Sequence, residues 1–146
     1  MFSSVLIVCV GNICRSPMGE YLFSDKLAAR GVDVSVASAG IGALVGHGAD
    51  PHAVTVMAEH GINVGPHRAR QLNAELATQY ELILVMEEWQ RKEIESLYPF
   101  ARGRVHSMGK WGTGDIGDPY RKPIGAFVEA YEKIEQACDE WCKKVW

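Results

Sequence analysis

The first strand-like segment of the chain leads directly into a loop that carries a cysteine and an arginine six positions apart. Residues 5–10 are continuously apolar, which is typical of a strand buried in a parallel sheet. The loop runs from Cys9 to Arg15, and Ser16 and Pro17 suit the N-cap and first position of a helix. A strand, a loop and a helix N-terminus in this order favour the binding of a tetrahedral oxyanion.

Cys9 and Arg15 determine which chemistry this segment, the Cys9 loop (residues 9–15), can perform. A cysteine and an arginine at this spacing arise readily by chance in a chain with four cysteines. The evidence for an anion-binding loop therefore comes from the strand and the helix that flank it. A helix N-terminus and a nearby guanidinium favour a thiolate, which is a nucleophile, over an inert buried thiol. Arginine can hold two oxygens of a phosphoryl group at once. We therefore predict phosphoryl transfer onto the sulfur of Cys9.

The other residues of the loop support this prediction. Gly11 lets the backbone approach an anion, and Asn12 suits a left-handed backbone conformation and side-chain hydrogen bonds that hold the loop open. Ser16 can donate its hydroxyl to the thiolate as well as cap the helix. Cys14 can trap an oxidised Cys9 as a disulfide, or it is simply a small buried residue. The predicted phosphate-binding residues are Val10, Gly11, Asn12, Ile13, Cys14 and Ser16.

Asp118, near the other end of the chain, is the candidate acid. Phosphoryl transfer from an ester requires a proton for the leaving oxygen. Asp118 lies between Gly117 and Pro119 in a glycine-rich segment that can fold over a pocket. The same carboxylate can afterwards activate water against a phosphocysteine. An aspartate before proline is also a common turn residue, so the local pattern leaves both interpretations open.

Length, charge and cysteine usage exclude several classes of protein. The chain of 146 residues is predicted to form a single domain over residues 1–146. A net charge of −3 does not favour binding to nucleic acid or to an anionic membrane. No apolar run approaches the length of a membrane span, and the start lacks the basic region of a secretion signal. The spacings of the four cysteines are not those of zinc ligands. A nucleophilic thiol needs a reducing compartment. We expect a cytoplasmic protein without stable membrane insertion, metal or cofactor.

Strand-like runs alternate with helical patterns along the whole chain. This alternation predicts an α/β fold with four parallel strands, right-handed crossovers and helices on both faces of the sheet. Ligands bind beyond the carboxyl ends of the strands in such sheets, which is where the Cys9 loop lies. The predicted strands are residues 5–10, 32–37, 81–86 and 104–108, and the predicted helices are residues 17–30, 51–60, a short helix after Asn73, 88–97 and 124–145.

Two further segments are candidates for the surroundings of the site. Residues 40–46 are rich in glycine but have the wrong spacing for a dinucleotide fingerprint, so we interpret them as a flexible loop that lines the cleft. The basic run at residues 67–70 is either a solvated, loop-supporting cluster or a docking patch.

These motifs together resemble the low-molecular-weight protein tyrosine phosphatases. Residues 9–17 and residues 118–120 are similar to the two catalytic motifs of that family, and shorter matches lie between them at residues 38–40, 60–62, 67–71 and 85–87. The resemblance spans nearly the whole chain. It implies the family's fold, a three-layer, flavodoxin-like α/β sandwich around a four-stranded parallel sheet.

The resemblance also implies roles for individual residues. Cys9 corresponds to the nucleophile, Arg15 to the phosphate clamp and Asp118 to the general acid. The residues that would brace the loop are Asn12, Ser38 and His67.

Residues 42–51 resemble a narrower branch of the family. These are bacterial phosphatases paired with tyrosine autokinases that control capsule and exopolysaccharide export, which implies such an autokinase as the phosphotyrosine substrate. Leu44 stands where the eukaryotic branch of the family commonly has an aromatic residue in the pocket wall. Tyr120 is expected at the mouth of the pocket. Arg121 stands where the family frequently has a second tyrosine, so we do not expect regulation through a phosphorylated tyrosine pair.

An arsenate reductase on the same fold would use the same loop for a different reaction. That activity needs two further cysteines placed to relay a disulfide, and residues 82–102 contain none. The remaining pair, Cys138 and Cys142, falls on the apolar stripe of the last predicted helix, where core packing is expected.

A protein arginine phosphatase and a non-catalytic phosphate-binding module would also carry a loop of this kind. Protein arginine phosphatases resemble this chain but have threonine where it has Ile13, and isoleucine favours a phenyl ring. A binding module needs neither a thiolate nor an acid, so the presence of Cys9 and Asp118 argues against it.

Overall fold

The computed structural model describes residues 2–146 and consists of one parallel sheet between two layers of helices. The predicted α/β fold with a four-stranded parallel sheet is confirmed. The strands are β1 (Ser4–Cys9), β2 (Ser35–Gly40), β3 (Leu82–Val85) and β4 (Val105–Ser107); the helices are α1 (Arg15–Ala29), α2 (Pro51–Glu59), α3 (Ala74–Gln79), α4 (Glu88–Leu97) and α5 (Ile124–Val145), with a 3₁₀ turn at Pro99–Ala101.

The strand order β2-β1-β3-β4 creates a crevice at the carboxyl end of β1. The chain moves from β1 to one side to form β2 and then crosses to the other side to form β3. The connection that follows β1 and the connection that follows β3 therefore lie on opposite faces of the sheet. A crevice is left between them at the carboxyl ends of the two strands. Ligands bind at such a point in doubly wound sheets. Cys9 is the last residue of β1, so the Cys9 loop begins at this crevice.

Two hydrophobic cores hold the layers together, one on each face of the sheet. Val5 and Ile7 of β1 pack with α1, α2 and α5, whereas Leu6 and Val8 pack with α3 and α4. Side chains of a strand alternate between the two faces, and a sheet covered on both sides needs apolar residues at every position. This requirement explains the uninterrupted apolar run that precedes Cys9.

The observed boundaries differ from the predicted ones at two informative places. Strand β2 begins three residues later than predicted, because Ser35 pairs with Ser4, where β1 itself begins. The predicted N-cap at Ser16 is wrong: α1 begins at Arg15, with Cys14 at the N-cap and no side-chain cap. The hydroxyl of Ser16 instead contacts the sulfur of Cys9 at 2.9 Å.

Helix α5 carries the two C-terminal cysteines into the core. Cys138 and Cys142 are both buried and free, as their place on the apolar stripe predicts. Burial raises the pKa of both thiols. Within the described part of the chain, no helix combines the length and the apolar character that crossing a bilayer requires.

Gly40 provides a test of how closely the sheet approaches the Cys9 loop. A Cβ atom at Gly40 would lie 2.4 Å from the carbonyl oxygen of Val10. We expect Gly40→Ala to lower the free energy of unfolding by about 1–3 kcal/mol, because the backbone must shift to relieve the overlap. Gly125→Ala is the control, since a Cβ there meets nothing within 4 Å. Equal stability of the two variants in urea unfolding would contradict this packing.

Candidate active site

The Cys9 loop is bonded to its surroundings through its carbonyl groups. The carbonyls of Cys9, Val10 and Gly11 accept hydrogen bonds of 2.9–3.1 Å from the backbone N–H groups of residues 41, 42 and 44. The carbonyl of Asn12 accepts from His67 Nε2 at 2.6 Å, and that of Ile13 accepts from the N–H of residue 50 at 2.8 Å. Five consecutive carbonyls are therefore bonded to groups outside the loop.

The N–H groups of the loop are left to face its interior. In a trans peptide the N–H points opposite to the preceding carbonyl, so carbonyls bonded outwards turn the N–H groups inwards. Among the described residues, the N–H groups of positions 11–14 have no protein acceptor. The first N–H groups of α1, which follow directly, also lack helical acceptors. This arrangement forms a nest for an anion.

Asn12 holds the middle of the loop. It is fully buried and has a φ of 58°, the left-handed conformation that asparagine tolerates better than most residues. Its Nδ2 donates to Ser16 Oγ at 2.7 Å and to Ser38 Oγ at 3.0 Å. Its Oδ1 accepts from the backbone N–H of Arg70 at 2.9 Å. The side chain thus fixes the loop to α1, to β2 and to the segment after residue 66.

A second ring of polar side chains surrounds Asn12. Ser38 donates to Glu20 Oε1 at 2.5 Å, and Arg70 Nε donates to the Ser38 carbonyl at 3.0 Å. His67 is buried and its Nε2 donates to the Asn12 carbonyl. The structure therefore brings Ser38 and His67 against the loop. The contribution of Glu20 was not predicted, whereas Arg70 belongs to the basic run at residues 67–70, for which loop support was one of the two interpretations.

Ser16 is oriented towards the sulfur of Cys9. Because Ser16 Oγ accepts a hydrogen bond from Asn12, its own hydrogen is available to donate to Cys9 Sγ, 2.9 Å away. A hydroxyl donor at this position can stabilise negative charge on the sulfur.

Arg15 lies under the loop with its side chain only 1% exposed. Its Nη1 donates to Glu87 Oε1 at 2.5 Å and to the Ile116 carbonyl at 2.8 Å. Nη2 is 3.8 Å from Asp118 Oδ2, and Nε has no partner among the described residues. One edge of the guanidinium is thus anchored, while Nε and Nη2 form a fork suited to two oxygens of one anion.

Glu87 is the main site residue that the sequence pattern did not predict. It is the N-cap of α4 and takes part in a capping box with Gln90, whose Oε1 accepts from the Glu87 N–H at 3.1 Å. The helix N-terminus therefore fixes the backbone of the residue whose carboxylate anchors Arg15. The signal that could have found it was an acidic residue just after the carboxyl end of β3, next to the end of β1.

A pocket of about 250 Å³ opens above the loop. Asp118 stands at its edge with its side chain 46% exposed, and its Oδ1 accepts from the Tyr120 N–H at 3.0 Å. Leu44 and Tyr120 line the mouth. The residues that line the pocket are Cys9, Val10, Gly11, Ile13, Cys14, Arg15, Gly42, Leu44, Asp118, Tyr120 and Arg121.

Cys14 lines the same pocket as Cys9. Burial, and after it the nearby carboxylate of Asp50, raises the pKa of the Cys14 thiol well above its ordinary value. Cys14 is therefore a neutral thiol at neutral pH. Cys138 and Cys142 do not line the pocket, so the structure does not bring them to Cys9 as a disulfide relay would require.

Nearly the whole chain matches one protein family. The model of the low molecular weight phosphotyrosine protein phosphatases covers residues 4–146. The chain belongs to this family. The resemblance inferred from the two motifs is thus confirmed, and the protein is a low molecular weight protein-tyrosine phosphatase.

Individual relatives give a finer placement of this phosphatase. It is 48% identical over 145 residues to the probable low molecular weight protein-tyrosine-phosphatase EpsP of Ralstonia nicotianae, with 99% of this chain and 97% of the relative covered. It is 42% identical to Wzb of Escherichia coli K12, with 98% of this chain and 95% of the relative covered. Over nearly the full length of both chains, this phosphatase is thus similar to EpsP and to Wzb.

Solved structures of relatives share the fold of this phosphatase. Wzb of Vibrio vulnificus in complex with benzylphosphonate has a TM-score of 0.93 at 43% identity, with 99% of this chain and 100% of that chain covered. The YwlE arginine phosphatase, as a mutant with a phosphorylated active-site serine, has the same TM-score at 30% identity, with 97% and 95% covered. The fold alone therefore does not separate the two substrate classes.

Replacement of Glu87 tests the anchoring of Arg15. We expect Glu87→Ala to lower the free energy of unfolding by about 1–3 kcal/mol, because the buried guanidinium loses its charged partner. Glu88→Ala is the matched control, since its carboxylate pairs with Arg91 near the surface and should contribute less than about 1 kcal/mol. Urea unfolding of both variants checks this, and equal losses would show that Glu87 does not anchor Arg15.

Proposed function

We propose that this phosphatase hydrolyses phosphotyrosine in two steps through a phosphocysteine at Cys9. The observation that carries the proposal is the outward bonding of five consecutive loop carbonyls beside the Cys9 sulfur. This arrangement leaves N–H groups and the free fork of Arg15 around the space above the sulfur. A phosphoryl group held there has its phosphorus in line with the nucleophile.

In the first step the Cys9 thiolate attacks phosphorus, an S–P bond forms and the bond from phosphorus to the tyrosine oxygen breaks. Negative charge is spread over the three non-bridging oxygens in the transition state. The loop N–H groups and Arg15 Nε and Nη2 stabilise this charge without reorganisation, because hydrogen bonds outside the loop already fix them. Asp118 in its protonated form donates its proton to the leaving phenolate oxygen.

In the second step the sequence of proton transfers is reversed. Asp118 is now a carboxylate and takes a proton from a water molecule, whose oxygen attacks the phosphorus of phosphocysteine. The S–P bond breaks and inorganic phosphate leaves. The departing thiolate of Cys9 accepts the hydrogen bond of Ser16, which lies 2.9 Å away. The exposure of Asp118 at the pocket edge gives water a route to it.

The pocket favours an aromatic ester. Leu44 and Tyr120 at the mouth and Ile13 in the loop supply apolar surface for a phenyl ring between them. The complex of Vibrio vulnificus Wzb with benzylphosphonate, a ligand that carries a phenyl ring, supports the same preference. Hydrolysis of phosphoarginine or reduction of arsenate would reveal an arginine phosphatase or an arsenate reductase instead.

We infer that the protein substrate is a tyrosine autokinase of capsule or exopolysaccharide export. The resemblance of residues 42–51 to that branch and the similarity to EpsP and Wzb support this inference. The nucleophilic thiol of Cys9 also favours action in the reducing cytoplasm.

Cys9→Ser tests the nucleophile. We expect no release of phosphate from a phosphotyrosine peptide, because a serine hydroxyl is a far weaker nucleophile than a thiolate. Binding of inorganic phosphate should be retained, since Arg15 and the loop N–H groups remain. Phosphate release is measured without added metal and with reductant, and calorimetry measures binding. Activity near that of the wild type would contradict the assignment.

Asp118→Asn tests the acid. Turnover of a substrate with a poor leaving group, such as a phenyl phosphate, should fall by about 10²–10⁴-fold. The loss should be smaller for an activated aryl phosphate, because its leaving group needs no proton. A plot of rate against leaving-group pKa checks this for both proteins. Equal losses across the series would mean that Asp118 does not protonate the leaving group.

A further inference from the structure

Arg121 is a charged residue at the mouth of the pocket that the two chemical steps do not use. It is exposed and lines the pocket next to Tyr120. Its Cζ lies 5.3 Å from the centroid of the Tyr120 ring, which is within the range of a cation–π contact. This contact keeps the guanidinium at the rim, beside the ring that lines the entrance.

The backbone at Arg121 is in a conformation that arginine rarely adopts. Its φ is 64°, and the N–H of Lys122 donates to the carbonyl of Pro119 at 3.0 Å, which closes a tight turn. Arg121 is the third residue of that turn, a position with positive φ that glycine or asparagine usually occupies. An arginine with positive φ next to a pocket is a strained residue that points to a function.

Arg121 also lacks an acidic partner in the described part of the chain. None of the ion pairs among residues 2–146 includes it. The nearest acidic group along the chain, Asp118, directs Oδ1 to the Tyr120 N–H and Oδ2 towards Arg15. The guanidinium at the rim is therefore available to a ligand. Lys122, the next basic residue, lines a separate hollow against α5 instead of this pocket.

We propose that Arg121 determines substrate specificity by binding an anionic side chain that flanks the phosphotyrosine. The phosphate and the ring of the substrate fill the pocket, so the neighbouring residues of an extended peptide lie across its rim. A guanidinium there can bind two oxygens of a carboxylate or of a second phosphoryl group. This inference rests on the proposed phosphotyrosine activity and adds a preference for acidic or multiply phosphorylated sequences.

The experiment compares three phosphotyrosine peptides that differ only in the flanking residues: glutamate, its neutral counterpart glutamine, or phosphoserine. The values of kcat/KM are measured for the wild type, Arg121→Gln, Arg121→Lys and the matched control Lys122→Gln. The quantity of interest is the ratio of kcat/KM between an anionic and the neutral peptide. This ratio cancels any general effect of a substitution on folding or on the turn.

The wild type should favour the glutamate peptide over the glutamine peptide by about fivefold at low salt, mainly through KM. The preference should disappear at about 1 M salt, where charges are screened within a few ångströms. Arg121→Gln should abolish the preference for the glutamate peptide, and Arg121→Lys should retain part of that preference. Lys122→Gln should retain the full preference. A larger ratio for phosphoserine than for glutamate would identify a second phosphoryl group as the preferred partner.

Charge reversal provides a gain-of-function test. Arg121→Glu should favour a lysine-flanked peptide over the glutamate-flanked one. An unchanged glutamate-to-glutamine ratio in Arg121→Gln, or no preference in the wild type, would overturn the inference while phosphatase activity remains. Absence of phosphate release from every peptide, the neutral one included, would instead contradict the proposed phosphotyrosine activity.

Discussion

Hydrogen bonds from outside the Cys9 loop to its five consecutive carbonyls are the interactions on which the rest of the site depends. A short loop between a strand and a helix has as many acceptors as donors, and an anion site requires that only the donors face inwards. Here the backbone N–H groups of residues 41, 42, 44 and 50 and the ring of His67 donate to these acceptors. The left-handed backbone of Asn12 lets the loop curve so that the remaining N–H groups converge. The thiol, the nest and the helix N-terminus then meet at one point.

The sheet supplies the second requirement, which is a fixed arginine. Arg15 begins α1, but its anchor comes from the end of β3, 72 residues away in sequence. Strands β1 and β3 are neighbours, so their carboxyl ends bring the arginine and Glu87 together. The capping box of α4 holds Glu87 in turn. A buried cation is thereby compensated on one edge, which leaves its other edge for substrate.

The sequence predicted the parts of the structure that depend on local pattern. Helix α4 has the predicted bounds, and Asp50 and Asn73 cap α2 and α3 as expected. The start of β2 was missed because it depends on where its partner strand begins. The local pattern alone predicted Ser16 as a helix N-cap, whereas tertiary contacts direct its hydroxyl to the sulfur of Cys9.

The residues of the candidate site also fall into those that the local sequence predicted and those that it did not. Cys9 and Arg15 could be predicted because strand, loop and helix follow one another in the sequence. For Asp118 the local pattern left two interpretations open, a catalytic acid or an ordinary turn residue, and the family resemblance favoured the acid. Glu20 and Glu87 were not predicted, because their importance comes from partners that only the folded chain brings close.

The most direct test of the central claim is to trap the covalent intermediate. Wild-type protein is mixed with an activated aryl phosphate, quenched within milliseconds, digested and analysed by mass spectrometry under conditions that preserve the S–P bond. We expect one phosphoryl group per chain, on the peptide that contains Cys9, with rates of formation and decay that match turnover. Phosphate release without a phosphorylated peptide, or a phosphoryl group on any other residue, would contradict it.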